Sequence, residues 1–308
     1  MSHGQVLVRS DRTPERTACV GAAHSRKQHV PHYLIAQSEL PREREVRRRR
    51  AGKSSGETYA ATLEQMQPGV ETTILSPADE GVEPLSVEAL ERFDAVFLTG
   101  SPMHVYDDGG PVRRQLAFMT QVFAAGVPSF GSCAGLQIAT AAAGGRVRKM
   151  PDRMEAGIAR RISPTEAGRA HPLLKGRPPS WDAPAIHGDE VWELPPGATL
   201  LAGNAVTRVQ AAEIRFGRGV FWGVQYHPEL ALREIAAAIA DQAGDLVEAG
   251  LAERESDVAA RADAIASLHD DPGNRALRWQ LGVDGEFAEE RRRRREIANF
   301  LEHLPDLR

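Results

Sequence analysis

With 308 residues, 42% of them hydrophobic, the chain has the material for a sizeable core, and its length fits one large α/β domain with an appendage or two domains. A formal net charge of −4 argues against a nucleic-acid-binding face or a basic membrane-binding one. Two cysteines are too few for a disulfide framework or a cysteine-rich zinc site, which suits a reducing compartment where a thiol stays reactive.

In chain order, residues 1–30 are polar and aperiodic and read as a flexible leader. They hold no apolar run of signal-peptide length, and no later stretch approaches a membrane-spanning length, so a cytoplasmic location is expected. Cys19 has no glycine neighbours or adjacent strand and reads as inert. The first convincing strand is HYLIAQSEL, from His32. PREREVRRRRAGKSSG follows and reads as a long charged loop, an insertion over 41–55. No aromatic residue interleaves its run Arg47 to Arg50, which favours a solvated surface over a phosphate site. ETYAATLEQM reads as a helix stopped by Pro68-Gly69, and VETTIL as a short strand. LSVEALERF reads as a helix with Ser86 as N-cap, leading into the buried strand DAVFLTG. Gly110-Pro111 opens a further helix, VPSF is a strand, and AGLQIATAAA is a helix of small residues. This alternation indicates an α/β fold with a mostly parallel sheet covered by helices on both faces.

From about Arg146 to Gln225 short β-like runs between turns suggest a small antiparallel flank attached to that core. Beyond Glu229 the pattern is helical: LALREIAAAIADQAGDLVEAGL, then SDVAARADAIASL, a break at DDPGN, and EFAEERRRRREIANFLEHL. Arg291 to Arg295, flanked by Glu289, Glu290 and Glu296, read as an exposed, charge-paired face. The expected division is a leader over 1–30, a catalytic domain over 31–230 and a helical extension over 231–308.

The chemistry concentrates at VPSFGSCAGLQIA. A strand, then G-S-C-A-G, then a helix is the layout of a nucleophile elbow, in which a sharp turn presents Cys133. Strand and helix approach closely there, which calls for the small residues Gly131 and Gly135. The helix directs its positive end at the sulfur and favours a thiolate, while the N–H of Ala134 faces a developing oxyanion. A G-x-C-x-G string fits a packed cysteine in a turn equally well, so a base is needed to choose. GVFWGVQYHPEL ends in His227-Pro228-Glu229. On an extended segment side chains two apart share a side, so Glu229 can orient His227 towards a thiol. The acid follows the histidine, unlike the Ser…Asp/Glu…His order of the α/β-hydrolases.

The set G-S-C-A-G-L-Q, H-G-D-E-V and V-Q-Y-H-P-E resembles the class I (triad) glutamine amidotransferases, in particular domains similar to the glutaminase half of GMP synthase. The resemblance covers roughly residues 32 to 230 and implies a flavodoxin-like amidotransferase domain. It also implies that Cys133 attacks the glutamine side-chain amide, forming a γ-glutamyl thioester and releasing ammonia. His227 would act as acid and base, with Glu229 orienting it. LTGSP sits where the family has a Gly-Gly-Pro turn, which makes Gly100 and Ser101, with Ala134, the oxyanion hole. Gln137, His187 and Asp189 match substrate-side positions, and Asp189 would bind the glutamine α-amino group. Without the resemblance, Gln137 reads as a capping side chain and Asp189 as a turn residue. Ser101 replaces a family glycine, Ala134 and Leu136 are smaller or different from the usual neighbours, and the 41–55 insertion and helical tail exceed the simple domain.

No cofactor and no metal are expected. The chain has no G-x-x-x-x-G-K-[ST] loop or Ser-Gly-Gly-rich nucleotide loop, so an ammonia acceptor would be a separate synthetase. The alternatives are a hydrolase of γ-glutamyl conjugates with the same nucleophile, or a non-catalytic scaffold of the same fold.

Overall fold

Strict alternation of buried side chains in the first strand sets the layers on either side of the sheet. The computed structural model describes residues 29–151 and 154–308, so Cys19 and the leader up to residue 28 lie outside the described residues. The chain opens with β1 (His32–Ala36), α1 (Pro41–Ala51), α2 (Ser55–Met66) and β2 (Glu71–Leu75). Next come α3 (Val87–Leu90), β3 (Ala95–Leu98), α4 (Gly110–Ala125), β4 (Ser129–Ser132) and α5 (Ala134–Ala142). A strand-rich segment follows: β5 (Arg146–Lys149), β6 (Glu155–Pro164), α6 (Glu166–Ala170), β7 (Trp181–His187), β8 (Asp189–Glu193), β9 (Ala198–Gly203), β10 (Ala211–Phe216) and β11 (Gly219–Val224). The rest is helical: α7 (Leu232–Asp241), α8 (Ala243–Glu248), α9 (Glu255–Asp270), α10 (Arg275–Leu281), α11 (Gly285–Ala288), α12 (Glu290–Arg293) and α13 (Arg295–Leu307).

Among the described residues, nine strands form one mixed sheet in the order β2-β1-β3-β4-β11-β10-β9-β6-β7, and β5 pairs with β8 in a separate two-stranded ribbon. The first five strands of that order are parallel and the remaining pairings are antiparallel. The α/β expectation holds. The antiparallel flank is less separate than the sequence suggests, because β11 returns to lie parallel to β4 in the middle of the core. The other flank strands then extend the same sheet. That pairing joins residues about ninety positions apart, which local patterns do not reveal.

Alternation divides the core. Tyr33, Ile35, Phe97, Phe130 and Trp222 pack on one face with Tyr59 and Leu63 of α2 and Phe300 of α13. Leu34, Val96, Leu98 and Phe221 pack on the other with Phe118, Met119 and Val122 of α4 and Leu136 and Ile138 of α5. The Phe300 ring meets Phe97, Phe130 and Trp222 at centroid separations of 5.5, 5.5 and 5.9 Å, so the last helix helps cover the sheet. A third cluster gathers α7 and α9 with Leu281 and Phe287.

Two local readings change. The segment expected to be a charged loop is the helix α1, which buries no residue. Its start has Pro41 in the first turn and the Leu40 N–H donating to Glu43 (2.7 Å), and Gly52 ends it at φ 76°. Without an apolar stripe it is held by ion pairs to other elements: Arg44 to Asp79 (2.6 Å), Arg47 to Glu234 (3.2 Å) and Arg50 to Asp241 (2.8 Å). The arginine-rich tail segment is three short helices, not one, and its charged face is not fully exposed. Arg293 is buried and donates to the carbonyls of Phe287 (2.9 Å) and Ala288 (2.7 Å). Glu296 is buried against Arg177 (2.6 Å).

Candidate active site

Cys133 stands between β4 and α5 at φ 52°, ψ −111°, a region L-residues rarely occupy, as a nucleophile elbow requires. Close packing explains the flanking glycines. A Cβ on Gly135 would lie 2.6 Å from the Leu98 carbonyl oxygen, and one on Gly131 would lie 3.1 Å from the Gly135 backbone. The helix α5 begins at Ala134, so its first N–H groups have no intrahelical acceptor and point towards the turn. Ser132, just before the cysteine, is fixed from behind by a 2.7 Å hydrogen bond to the Tyr59 hydroxyl. The Cys133 sulfur lies 3.9 Å from the Ile186 carbonyl oxygen at the end of β7.

The base comes from the turn after β11. His227, Pro228 and Glu229 are not extended, yet the carboxylate reaches back to the imidazole: Glu229 Oε1 accepts from His227 Nδ1 at 2.8 Å, with both side chains buried. Burial alone lowers the imidazole's affinity for a proton. The Glu229 carboxylate, the neighbouring Cys133 sulfur and the hydrogen bond to Glu229 outweigh it and push His227 up to about 10. The other carboxylate oxygen, Glu229 Oε2, is buried without a hydrogen bond among the described residues.

Gly100 closes the triangle. A Cβ there would lie 2.7 Å from His227 Cε1 and 3.5 Å from Cys133 Cβ, so the β3 exit passes directly against both side chains. Thr99 holds that exit in place: its hydroxyl donates to the Gly100 carbonyl (3.1 Å) and meets the hydroxyl of Ser55 (2.9 Å). Neither the Ser101 nor the Ala134 N–H has a hydrogen-bond acceptor among the described residues, so one residue lining the cavity and the residue after Cys133 each keep an unpaired backbone donor.

A cavity of about 370 Å³ opens over these groups. Cys133, His227, Glu229, Gly100 and Ser101 line its floor, and α1 and α7 form its outer walls. Among the described residues, no cluster of three His, Cys, Asp or Glu side chains could hold a metal ion.

The family model for glutamine amidotransferase class-I matches residues 53–243. A γ-glutamyl-L-1-hydroxyisopropylamide hydrolase from Pseudomonas sp is 35% identical over 280 residues, covering 88% of this chain and 92% of that protein. The chain belongs to the class I glutamine amidotransferases. The GMP synthase of Leifsonia xyli subsp. xyli is 35% identical over 151 residues, but there the match spans only 29% of that longer protein. A solved glutamine amidotransferase from Thermotoga maritima has the same fold, with a TM-score of 0.61 at 17% identity over 90% of this chain and 98% of that one. One from Methylobacillus flagellatus gives 0.54 at 18% identity over 89% and 94%.

Within this amidotransferase fold the sequence-predicted residues fall into two groups. Cys133, His227, Glu229, Gly100 and Ser101 share the cavity, with Ala134 at the helix start beside them. Gln137, His187 and Asp189 do not line it. Gln137 donates to the Asp189 carbonyl (3.2 Å) and to Gln225 (3.3 Å), tying the turn after β7 to the turn after β11. His187 is buried between the Asp189 carbonyl (2.9 Å) and Glu155 (3.1 Å). Burial opposes ionisation of Glu155, but hydrogen bonds from His187, Asn204 and Thr207 outweigh it and hold that carboxyl below its ordinary value. Asp189 accepts from His104 Nδ1 (2.6 Å) and from the Tyr106 hydroxyl (3.0 Å), both on the loop after Gly100. Glu39 and Ser55 also line the cavity without a signal in the sequence, and Arg47, whose run reads as a solvated surface, lines it as well because α1 folds over the site.

Among the described residues, no helix is long and apolar enough to cross a membrane.

Proposed function

We propose that this chain hydrolyses a γ-glutamyl amide bond through a thioester on Cys133. The observation that carries this reading is the common cavity floor: a strained cysteine, a histidine bound to a carboxylate, and two unpaired backbone N–H groups meet there. The Cys133 sulfur attacks the γ-carbonyl carbon, and the oxygen's developing charge falls to the N–H groups of Ser101 and Ala134. As the tetrahedral species collapses the C–N bond breaks, and protonated His227 gives its proton to the leaving nitrogen. Water then adds to the thioester carbonyl and passes a proton to His227. The C–S bond breaks, and glutamate leaves with Cys133 restored. Glu229 holds the imidazole throughout.

With glutamine the released nitrogen is ammonia, and a separate synthetase would be its acceptor. With a γ-glutamyl conjugate it is a substituted amine. The conjugate reading gains support from the Pseudomonas hydrolase, which aligns over nearly its whole length, whereas the GMP synthase match covers under a third of the longer chain. A cytoplasmic setting suits a site that depends on a free thiol.

The test measures glutamate, ammonia and amine release from glutamine and from γ-glutamyl alkylamides, for the wild type and Cys133→Ala. Turnover in the wild type and none in the variant is expected; turnover that survives the alanine change removes Cys133 from the mechanism.

A further inference from the structure

Three segments far apart in the chain meet at the cavity floor: Gly100 and Ser101 after β3, Cys133 after β4, and His227 to Glu229 after β11. The helix α2 bonds to all three. The Ser55 hydroxyl donates to Thr99 Oγ1 (2.9 Å), and the Thr99 hydroxyl donates to the Gly100 carbonyl (3.1 Å). The Tyr59 hydroxyl pairs with Ser132 Oγ (2.7 Å), one residue before the nucleophile. The Thr62 hydroxyl donates to the Glu229 carbonyl (3.2 Å). The start of the helix is fixed at the exit of β1, where the Ser55 N–H donates to Glu39 Oε2 (2.9 Å) and the Gly56 N–H to Gln37 Oε1 (3.0 Å). A Cβ on Gly56 would stand 2.8 Å from that Gln37 oxygen, so this close seat calls for glycine.

Read along the helix, these bonds follow the sheet order β1-β3-β4-β11. Ser55, Tyr59 and Thr62 stand at i, i+4 and i+7, on one face of α2. One helical turn advances about 5.4 Å and neighbouring strands lie about 4.8 Å apart, so one residue per turn can serve one strand. Buried helix positions at this spacing are ordinarily apolar, and a buried hydroxyl is unfavourable unless it is bonded. All three side chains are buried, and each has its hydrogen bond on a segment of the catalytic site. Burial first, and then the Glu229 carboxylate, hold the Tyr59 phenol well above its ordinary value, so it remains a hydroxyl at neutral pH. The strained backbone at Cys133 persists only where its surroundings over-determine it, and Tyr59 supplies one such constraint through Ser132.

We propose that Ser55, Tyr59 and Thr62 are positioning residues, through which α2 sets the mutual spacing of the Gly100-Ser101 turn, the nucleophile and the base. Tyr59 and Thr62 do not line the cavity, so they act through the groups they hold. The effect on turnover rests on the γ-glutamyl amide reading above; the effect on the sulfur and its imidazole is measured without a substrate.

Two rates separate the segments. In alkylation by iodoacetamide the Cys133 thiolate forms a C–S bond as the C–I bond breaks and iodide leaves, so the rate reports the sulfur and its imidazole partner and involves no oxyanion. Turnover of a γ-glutamyl amide needs all three segments. Tyr59→Phe and Thr62→Val should each lower kcat by about tenfold or more and slow alkylation as well, because sulfur and imidazole lose their register. Ser55→Ala should lower kcat to a similar degree with alkylation at the wild-type rate. Thr62→Ser, which keeps the hydroxyl, should restore both rates. Thr58→Val is the control: Thr58 is buried on the same helix, but its hydroxyl goes to Glu234 (2.7 Å) and to none of the three segments, so kcat and alkylation should match the wild type. If Tyr59→Phe does not fold, the Thr62→Val and Thr62→Ser pair makes the same comparison. Wild-type alkylation in folded Tyr59→Phe and Thr62→Val, alkylation slowed as much in Ser55→Ala as in those two, or an equal loss in Thr58→Val each overturns the positioning role while leaving the thioester chemistry standing. A wild type that turns over neither γ-glutamyl amides nor glutamine overturns the amide reading, and the alkylation rates still test the spacing.

Discussion

Glu229 Oε1 lies 2.8 Å from His227 Nδ1, two residues back in the same turn, and both side chains are shut away from solvent. That bond fixes which ring nitrogen faces the sulfur and stabilises the imidazolium. Glu229→Gln keeps the shape but removes the charge, and kcat on the preferred γ-glutamyl amide is expected to fall by roughly 10³–10⁴-fold. Steady-state kinetics on the folded variant checks this; a loss of less than tenfold would leave Glu229 with only a packing role.

The same pair makes stability depend on pH. The His227 pKa is raised from its ordinary 6.5 to about 10: burial works against the shift, and the Glu229 carboxylate, with the neighbouring Cys133 sulfur, overcomes it. Between those values the native state holds a proton that the unfolded chain releases. The contribution is therefore fully present below pH 6.5 and is lost as pH rises through about 10. Denaturant titrations at pH 6, 8 and 10 should show the stability advantage of the wild type over Glu229→Gln shrinking with each step upward. An advantage that grows with pH would contradict the shift.

Gly100 gives a sharper geometric test. An added methyl would come within 2.7 Å of His227 Cε1 and 3.5 Å of Cys133 Cβ. Because φ at this position is not left-handed, Gly100→Ala changes contacts rather than backbone strain. The imidazole must shift, and misplacement on the order of an ångström costs about 10²-fold in rate. The expected result is a large loss of kcat with a thermal midpoint close to wild type, read by kinetics and calorimetry together.

The convergence of Cys133, His227 and Glu229 is legible in the sequence because its signals are local. Gly131, Cys133 and Gly135 announce a close strand-to-helix turn, and His227 and Glu229 stand two residues apart. The route to their contact differs, since a turn rather than an extended strand brings the carboxylate back. The helix α1 was hidden because it has no apolar periodicity, and ion pairs to Asp79, Glu234 and Asp241 hold it in place of a buried stripe. Pro41 in its first turn and Gly52 at its end are cap residues, but neither by itself separates a helix from a turn-bounded loop. Arg293 and Glu296 look like members of a solvated face, and only the fold of the tail onto the sheet buries them.

Arg177 ties the tail to the body by a buried network, donating to Glu296 (2.6 and 2.7 Å) and to Glu286 (2.8 Å). Burial disfavours its charge, but the two carboxylates outweigh that and hold the guanidinium well above its ordinary value. Arg177→Ala leaves Glu296 buried without its charged partner, while Glu286 keeps Arg292 at 3.3 Å, and this should cost about 3–5 kcal/mol in unfolding free energy. Phe300→Ala, which empties the space between Phe97, Phe130 and Trp222, should cost a similar ~3–5 kcal/mol. Urea titrations measure both, and a change below 1 kcal/mol in either would mean that α13 contributes little to the stability of the sheet it covers.

Asp189 tests the glutamyl end of the substrate. Both of its carboxylate oxygens are engaged, by His104 Nδ1 at 2.6 Å and by the Tyr106 hydroxyl at 3.0 Å. Burial first, and then the hydrogen bond to Asp189, push the Tyr106 phenol up to about 12, so it remains a donor at neutral pH. His104 is about half exposed, which leaves it free to yield its place to a cationic α-amino group. If Asp189 receives that group, Asp189→Asn should raise KM for a γ-glutamyl amide by about tenfold or more with little change in kcat, since a contact equal in ground and transition states is lost. The same amide lacking the α-amino group should then be turned over alike by wild type and variant. An equal loss on both substrates would instead assign Asp189 to holding the loop of His104 and Tyr106 that follows Gly100 and Ser101.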